Sequence, residues 1–181
     1  TRKQFLYFGF SALIFVGVVI RFGALRYGLP LDVFGDEFVH VATAFSFLND
    51  MTLRATEAFS YVPSFMALIL APFFGIFGGI GILTGVFSGI DGFKEFAILN
   101  STEFISAARF VSALFGTAFL WILFLFTRKV IGEWPALVAT LIAAFDFWLV
   151  HESQIGHLWM PSVALVMLSS YALIRMSETG R

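Results

Sequence analysis

Of 181 residues, 59% are hydrophobic and only 13% charged, whereas a soluble domain carries about 25% charged residues, so a water-soluble globule is excluded. A formal net charge of −1 points to no partner class, and no basic, aromatic-laced surface for nucleic acid is present. The absence of cysteine excludes disulfides and thiolate metal sites.

The apolar run of residues 5–21, free of charge up to Arg21, predicts a first membrane-spanning helix. Arg2 and Lys3 precede it as in a signal peptide, but no small-residue cleavage site follows, so an uncleaved anchor is expected. Arg21, Arg26, Asp32, Asp36, Glu37 and His40 then form a polar stretch broken by Gly28 and Pro30. Over residues 36–48, Phe38, Val41, Phe45 and Leu48 recur at helical spacing, while Asp36, His40 and Thr43 fall on another face. That pattern predicts an amphipathic helix lying in the membrane interface.

Residues 61–87 are apolar but interrupted by Pro63, Pro72 and glycines such as Gly78, Gly79 and Gly81, and read as a re-entrant or interfacial segment. Small-residue helix packing accounts for the glycines. Ser88 to Glu103 reads as a polar loop. Three cleaner spans follow, at residues 105–127, 135–150 and 159–175.

Cation placement orients the chain, because short cytoplasmic loops are enriched in Lys and Arg. Arg2 and Lys3 put the N-terminus in the cytoplasm, and Arg128, Lys129, Arg175 and Arg181 belong there too. A single crossing by residues 61–87 would carry Arg128 and Lys129 outside, so that segment is expected to enter and leave on one face. Arg21, Arg26 and Arg54 then remain external. The same topology brings Asp36, Glu37 and His40 to the external boundary, together with the turn from His151 to His157 and with Arg109.

Asp36 and Glu37 open the interfacial helix, where an acidic pair suits the positive end of the helix dipole. Beyond that role, a carboxylate there can act as a general base on an attacking hydroxyl or amine. His40, one turn later, can orient that carboxylate or bind a metal, and by itself reads as an interfacial histidine. His151, Glu152 and His157 are candidate ligands for a divalent cation, although their spacing matches no zinc signature and a solvated polar turn accounts for them equally well. Asp146 sits in an apolar run about one turn inside the external end. A lone buried carboxylate there is expected to be protonated or paired, with Arg109 or a histidine of the turn as partner. Arg109 heads a span, where it can snorkel to the headgroups or clamp a phosphate.

The order Gly35-Asp36-Glu37-Phe38-Val39-His40, then the segment from Ala107-Ala108-Arg109-Phe110 to Thr117, then an Arg128-Lys129 turn with Gly132, resembles the N-terminal module of the GT-C membrane glycosyltransferases. That superfamily includes protein O-mannosyltransferases and aminoarabinose transferases. Phe145-Asp146-Phe147-Trp148-Leu149-Val150-His151-Glu152-Ser153 is similar to the mannosyltransferase pattern in the corresponding turn.

The resemblance implies an all-α, polytopic membrane bundle with interfacial helices, seated in the plasma membrane with its N-terminus cytoplasmic. It implies transfer of a sugar from a polyprenyl-phosphate donor to a glycan, lipid or protein acceptor on the external face. By the same resemblance Asp36 is the catalytic carboxylate with Glu37 beside it, Arg109 meets the donor phosphate, and a divalent cation, Mg or Mn, is the candidate cofactor. The chain departs from the pattern at Gln154, where an arginine is expected, and near Trp159 and Met160, where a later acidic residue is expected. His151, Glu152 and His157 are the substitutes for that missing acid.

Relatives are several times longer, and this chain runs from Thr1 to an Arg181 just after an apolar run. An N-terminal portion, inactive alone, is therefore expected. Two other classes compete: a transporter or flippase, for which paired broken helices in repeated halves are expected, and a non-catalytic membrane subunit.

Overall fold

The computed structural model describes residues 2–31, 35–51, 53 and 65–180. Asp32, Arg54, residues 61–64 of the apolar segment with its Pro63, and Arg181 lie outside the described residues. Among the described residues the protein is all-α, with helices α1 (Arg2–Phe22), α2 (Gly35–Asp50), α3 (Phe65–Leu83), α4 (Ile90–Leu99), α5 (Ser101–Val130), α6 (Glu133–Phe145), α7 (Phe147–Gln154) and α8 (Trp159–Thr179). Helices α3, α5 and α8 are long and apolar enough to cross a membrane, and α6 with α7 forms a further apolar pair bent by 58°. The chain is an integral membrane protein.

Two compact units make up the fold. The first holds the residues up to Leu25, Arg109–Ile155 and the residues from Trp159 onward; the second holds Arg26–Ala108 and Gly156–Leu158.

In the first unit α1 and α5 run antiparallel. Phe10 stacks on Phe124 at 4.0 Å, and Phe22 meets Phe110 edge-on at 5.3 Å. Gly17 lies against Leu120 so closely that a Cβ there would come within 2.6 Å of it. Arg21, near the end of α1, donates to the carbonyls of Ala143 and Ala144 near the end of α6. Lys129, near the end of α5, pairs with Glu178 near the end of α8 at 2.7 Å. The four helices therefore alternate in direction, and the start of α1 shares one end of the unit with the Arg128–Lys129 turn. Phe119, Leu120, Ala143, Ala144, Met160 and Ala164 form a buried apolar core.

Two readings of the sequence change here. The span at 135–150 is broken: α6 stops at Phe145, and the Asp146 backbone is extended (φ −59°, ψ 122°). The Asp146 side chain is exposed and caps α7, its Oδ1 accepting the Leu149 N–H at 2.9 Å. A carboxylate that caps a helix start needs no buried cation, so the pairing expected with Arg109 or a histidine is replaced by a local one. Arg21, expected in an external loop, is 0% exposed. Its Nη2 donates to the Ala143 carbonyl at 3.1 Å and its Nη1 to the Gly17 and Ala144 carbonyls at 3.3 Å. The break leaves the last carbonyls of α6 without intrahelical partners, and the guanidinium supplies them.

The second unit is built on phenylalanine. Phe45 of α2 stacks on Phe74 of α3 at 5.1 Å, and Phe104, in the first turn of α5, meets both edge-on. The stretch expected as a loop after Ser88 contains α4, because Phe93 and Ala97 recur four apart and bury one face. Gly78 and Gly81 of α3 receive the rings of Phe93 and Phe87.

Phe65–Leu83 is one unbroken helix despite Pro72, so no re-entrant hairpin turns within it. The chain reverses only afterwards, around Gly85 and Gly89, both at positive φ. Helix α2 buries Glu37, His40 and Thr43 along with Val39, Val41, Ala44 and Phe47, while Phe38 is 47% exposed. Polar and apolar side chains of α2 are thus enclosed together while Asp36, Asn49 and Asp50 stay exposed, and the Thr43 hydroxyl is satisfied by the Val39 carbonyl at 2.8 Å. Arg26 pairs with Glu103 at 2.5 Å. The chain between them therefore leaves and returns to one level, and whatever crosses the membrane in between crosses an even number of times.

A Cβ added at Gly81 would lie 2.2 Å from the Phe87 ring, whereas one at Gly79 would meet nothing within 4 Å. Gly81→Ala is expected to destabilise by about 1–3 kcal/mol, as overpacking does, and Gly79→Ala to be neutral. Thermal unfolding in detergent micelles checks this, and equal melting of the two variants would refute the packing.

Candidate functional site

The head of α2 is where the sequence's two polar clusters meet. Asp36 and Glu37 lie in its first turn, and both touch the Gly156–His157 segment, distant in sequence but part of the same unit. Glu37 is 0% exposed, and its Oε1 accepts the Gly156 N–H at 2.5 Å. The Asp36 side chain is 73% exposed, with Oδ2 at 3.6 Å from His157 Nε2. One turn on, the His40 ring stands edge-on to His157, with centroids 5.1 Å apart.

Adjacent carboxylates therefore have different surroundings. Glu37 is enclosed and bonded to backbone, which anchors residues 156–158 to α2. Asp36 projects outward with an imidazole beside it, and is the carboxylate of the pair that an incoming group can reach. The structure thus divides the expected catalytic pair into an accessible member and an enclosed one.

His40 is 1% exposed, and its Nε2 is buried without a hydrogen-bond partner. Burial pushes its pKa down to about 4, repulsion from His157 adds to the effect, and Asp36 opposes it. The ring is therefore neutral near pH 7. An orphaned buried nitrogen costs about 1–3 kcal/mol, which an apolar residue in that place would not.

The other expected site residues, Arg109, Asp146, His151 and Glu152, belong to the first unit. Arg109, 1% exposed, belongs to the first unit, and its Nη1 donates to the Leu25 carbonyl at 3.1 Å. It holds the turn after α1. His151 lies on α7, stacked parallel on Phe147 at 5.8 Å, and Glu152 beside it is half-buried. Among the described residues no group of three His, Cys, Asp or Glu side chains is placed to hold a metal ion. His151, Glu152 and His157 therefore do not fit the expected divalent cation.

Residues with no role in the sequence reading also matter. Gly156 offers its N–H to Glu37. Gln154 Nε2 donates to the Ile20 carbonyl at 2.7 Å, fastening the end of α7 to the end of α1. Gly116 makes room for Ser153, whose side chain would collide with any Cβ there. A glycine or glutamine in an apolar chain carries no signal of such pairings; Gln154 stood out only as a departure from the resemblance.

Residues 95–181 match the model of a family described as dolichyl-phosphate-mannose-protein mannosyltransferase. The match spans just under half of the chain, from within α4 to its end, and takes in Arg109 and the His151–His157 turn but not α2. Over that stretch the resemblance to membrane mannosyltransferases is borne out. No curated protein and no solved structure matches the chain.

The buried imidazole makes stability depend on pH. Below about 6.5 the unfolded chain takes up a proton at His40 that the folded chain refuses until about 4, so stability falls as pH drops through that window. Between pH 7 and pH 5 this amounts to about 2 kcal/mol. His40→Gln is expected to flatten that slope, read as the difference in melting temperature at the two pH values. An unchanged slope would contradict the burial of a neutral ring.

Proposed function

We propose that the chain is part of a membrane glycosyltransferase that takes a sugar from a polyprenyl-phosphate donor and passes it to an acceptor on the external face, with Asp36 as general base. The family description for residues 95–181 names a mannose on dolichyl phosphate and a protein acceptor, which supports a lipid-phosphate sugar as donor. The observation that carries the reading is the exposed Asp36 carboxylate beside His157, on a helix head fastened to the Gly156 backbone by Glu37.

In this reading the acceptor's oxygen or nitrogen attacks the anomeric carbon as its proton passes to Asp36. The bond from that carbon to the phosphate oxygen breaks, and the lipid phosphate departs with the negative charge. Asp36 has the exposure for the task, while His157 polarises it and limits its motion. Glu37 works through structure, holding residues 156–158 in place. Arg109 is assigned to the donor phosphate by resemblance, and it also braces the Leu25 carbonyl.

Asp36→Asn in the full-length protein is expected to cut consumption of labelled polyprenyl-phosphate sugar about 100-fold or more, the scale of general-base catalysis, without loss of expression or melting temperature. Glu37→Ala is expected to lower the melting temperature as well, since it leaves the Gly156 N–H without its carboxylate. Consumption by Asp36→Asn at the wild-type rate would end the catalytic assignment.

Orientation follows from the cations, with the start of α1 and the Arg128–Lys129 turn cytoplasmic. Cysteines placed singly by Tyr27→Cys and Glu133→Cys, in a chain whose 181 residues hold no other cysteine, are expected to differ in intact cells. The first reacts with an impermeant maleimide and the second does not. Labelling of both, or of Glu133→Cys alone, would overturn the topology.

A further inference from the structure

Between α1 and α5 the first unit carries a surface groove of about 540 Å³, walled by Phe10, Ile14 and Val18 on one side and Trp121 and Leu125 on the other. Arg128 closes one end. Residues flanking it open outward, Phe15 being 69% and Trp121 51% exposed. From Tyr7 to Val18 the lining covers eleven residue steps of helix, about 16 Å at 1.5 Å per residue. An extended fatty acyl chain has this shape and length.

The charged end is selective. The Arg128 guanidinium lies over the Phe124 ring at 5.8 Å, and among the described residues no carboxylate pairs with it. Its neighbour Lys129 pairs with Glu178. An uncompensated guanidinium at the end of a membrane helix and at the mouth of an apolar groove matches a phosphate on an acyl chain. A second copy of the chain pressed into the groove would surround that cation with apolar surface and give it no anion.

We propose that this groove is a binding site for one acyl chain of an anionic glycerophospholipid, with the headgroup phosphate on Arg128. Neither the groove nor Arg128 takes part in the catalytic reading, so the two stand or fall separately.

The test is native mass spectrometry of the detergent-purified full-length protein titrated with dioleoylphosphatidylglycerol or dioleoylphosphatidylcholine. The expected result is retention of phosphatidylglycerol about fivefold more strongly, the worth of one cation near an anionic headgroup. Arg128→Gln abolishes that preference and Lys129→Gln preserves it. Ser11→Phe, which fills the groove, reduces retention of both lipids. Val18→Phe blocks the same groove should Ser11→Phe fail to fold, as judged by far-ultraviolet circular dichroism. Equal retention of the two lipids by the wild type, a preference that survives Arg128→Gln, undiminished retention in the filled-groove variants, or a lipid-free dimer would each overturn the proposal.

Discussion

A helix broken within a bilayer leaves carbonyls that neither water nor the next turn can satisfy, and each such group costs several kcal/mol. The described residues meet that cost at one place with one side chain. Where Asp146 ends α6, the guanidinium of Arg21 reaches from α1 and takes the carbonyls of Ala143 and Ala144. Gly116 leaves the space in which Arg21 and Ser153 lie. Because the break is tolerated, α7 can depart at 58° from α6 and lead through Ile155 into the segment that Glu37 grips. Without it, residues 133–154 would form one straight helix, and the polar turn would have no bend to start from.

The same economy of polar groups explains α2. In water a helix hides its apolar stripe and shows its polar one, but in a membrane protein polar groups too are enclosed wherever protein is available to receive them. Helix α2 turns Glu37, His40 and Thr43 inward and leaves Phe38 half outside. This enclosure separates two carboxylates that are adjacent in sequence. Glu37 has a backbone N–H to accept and is enclosed. Asp36, one residue earlier at the head of the helix, stays exposed. What divides the neighbouring acids is the surroundings the fold gives each, and nothing in their chemistry distinguishes them beforehand.

This is also where reading from sequence reaches its limit. The all-α membrane architecture was legible because hydropathy and charge report directly on lipid contact, and the helices α1, α5 and α8 stand close to the apolar runs of the sequence. Asp36 and the His151–His157 turn stood out because ionisable residues are scarce in such a chain. That His157 meets Asp36 depends on packing that no period reveals. Asp146 was misread because an aspartate amid apolar residues looks buried, and only the break turns it into a cap. Arg21 was misplaced for the complementary reason, since an arginine at the end of a span ordinarily snorkels outward, and its partners on α6, the Ala143 and Ala144 carbonyls, lie more than 120 residues away. The Ser88–Glu103 stretch hid α4 because Asp91, Lys94 and Glu95 mask the spacing of Phe93 and Ala97.

Charge bias and geometry bear on topology independently, and they agree. The bias of Arg and Lys required residues 27–102 to return to the face they left, or else Arg128 and Lys129 would lie outside. The ion pair of Arg26 with Glu103 imposes the same return without reference to any membrane potential or translocation rule, since two side chains in contact cannot stand on opposite faces. The antiparallel run of α1 against α5, fixed by Phe10 on Phe124 and Phe22 on Phe110, then carries Arg128 and Lys129 to the end where α1 began. An α3 long enough to cross does not disturb this. Parity demands only that any crossing it makes be matched by another between Arg26 and Glu103.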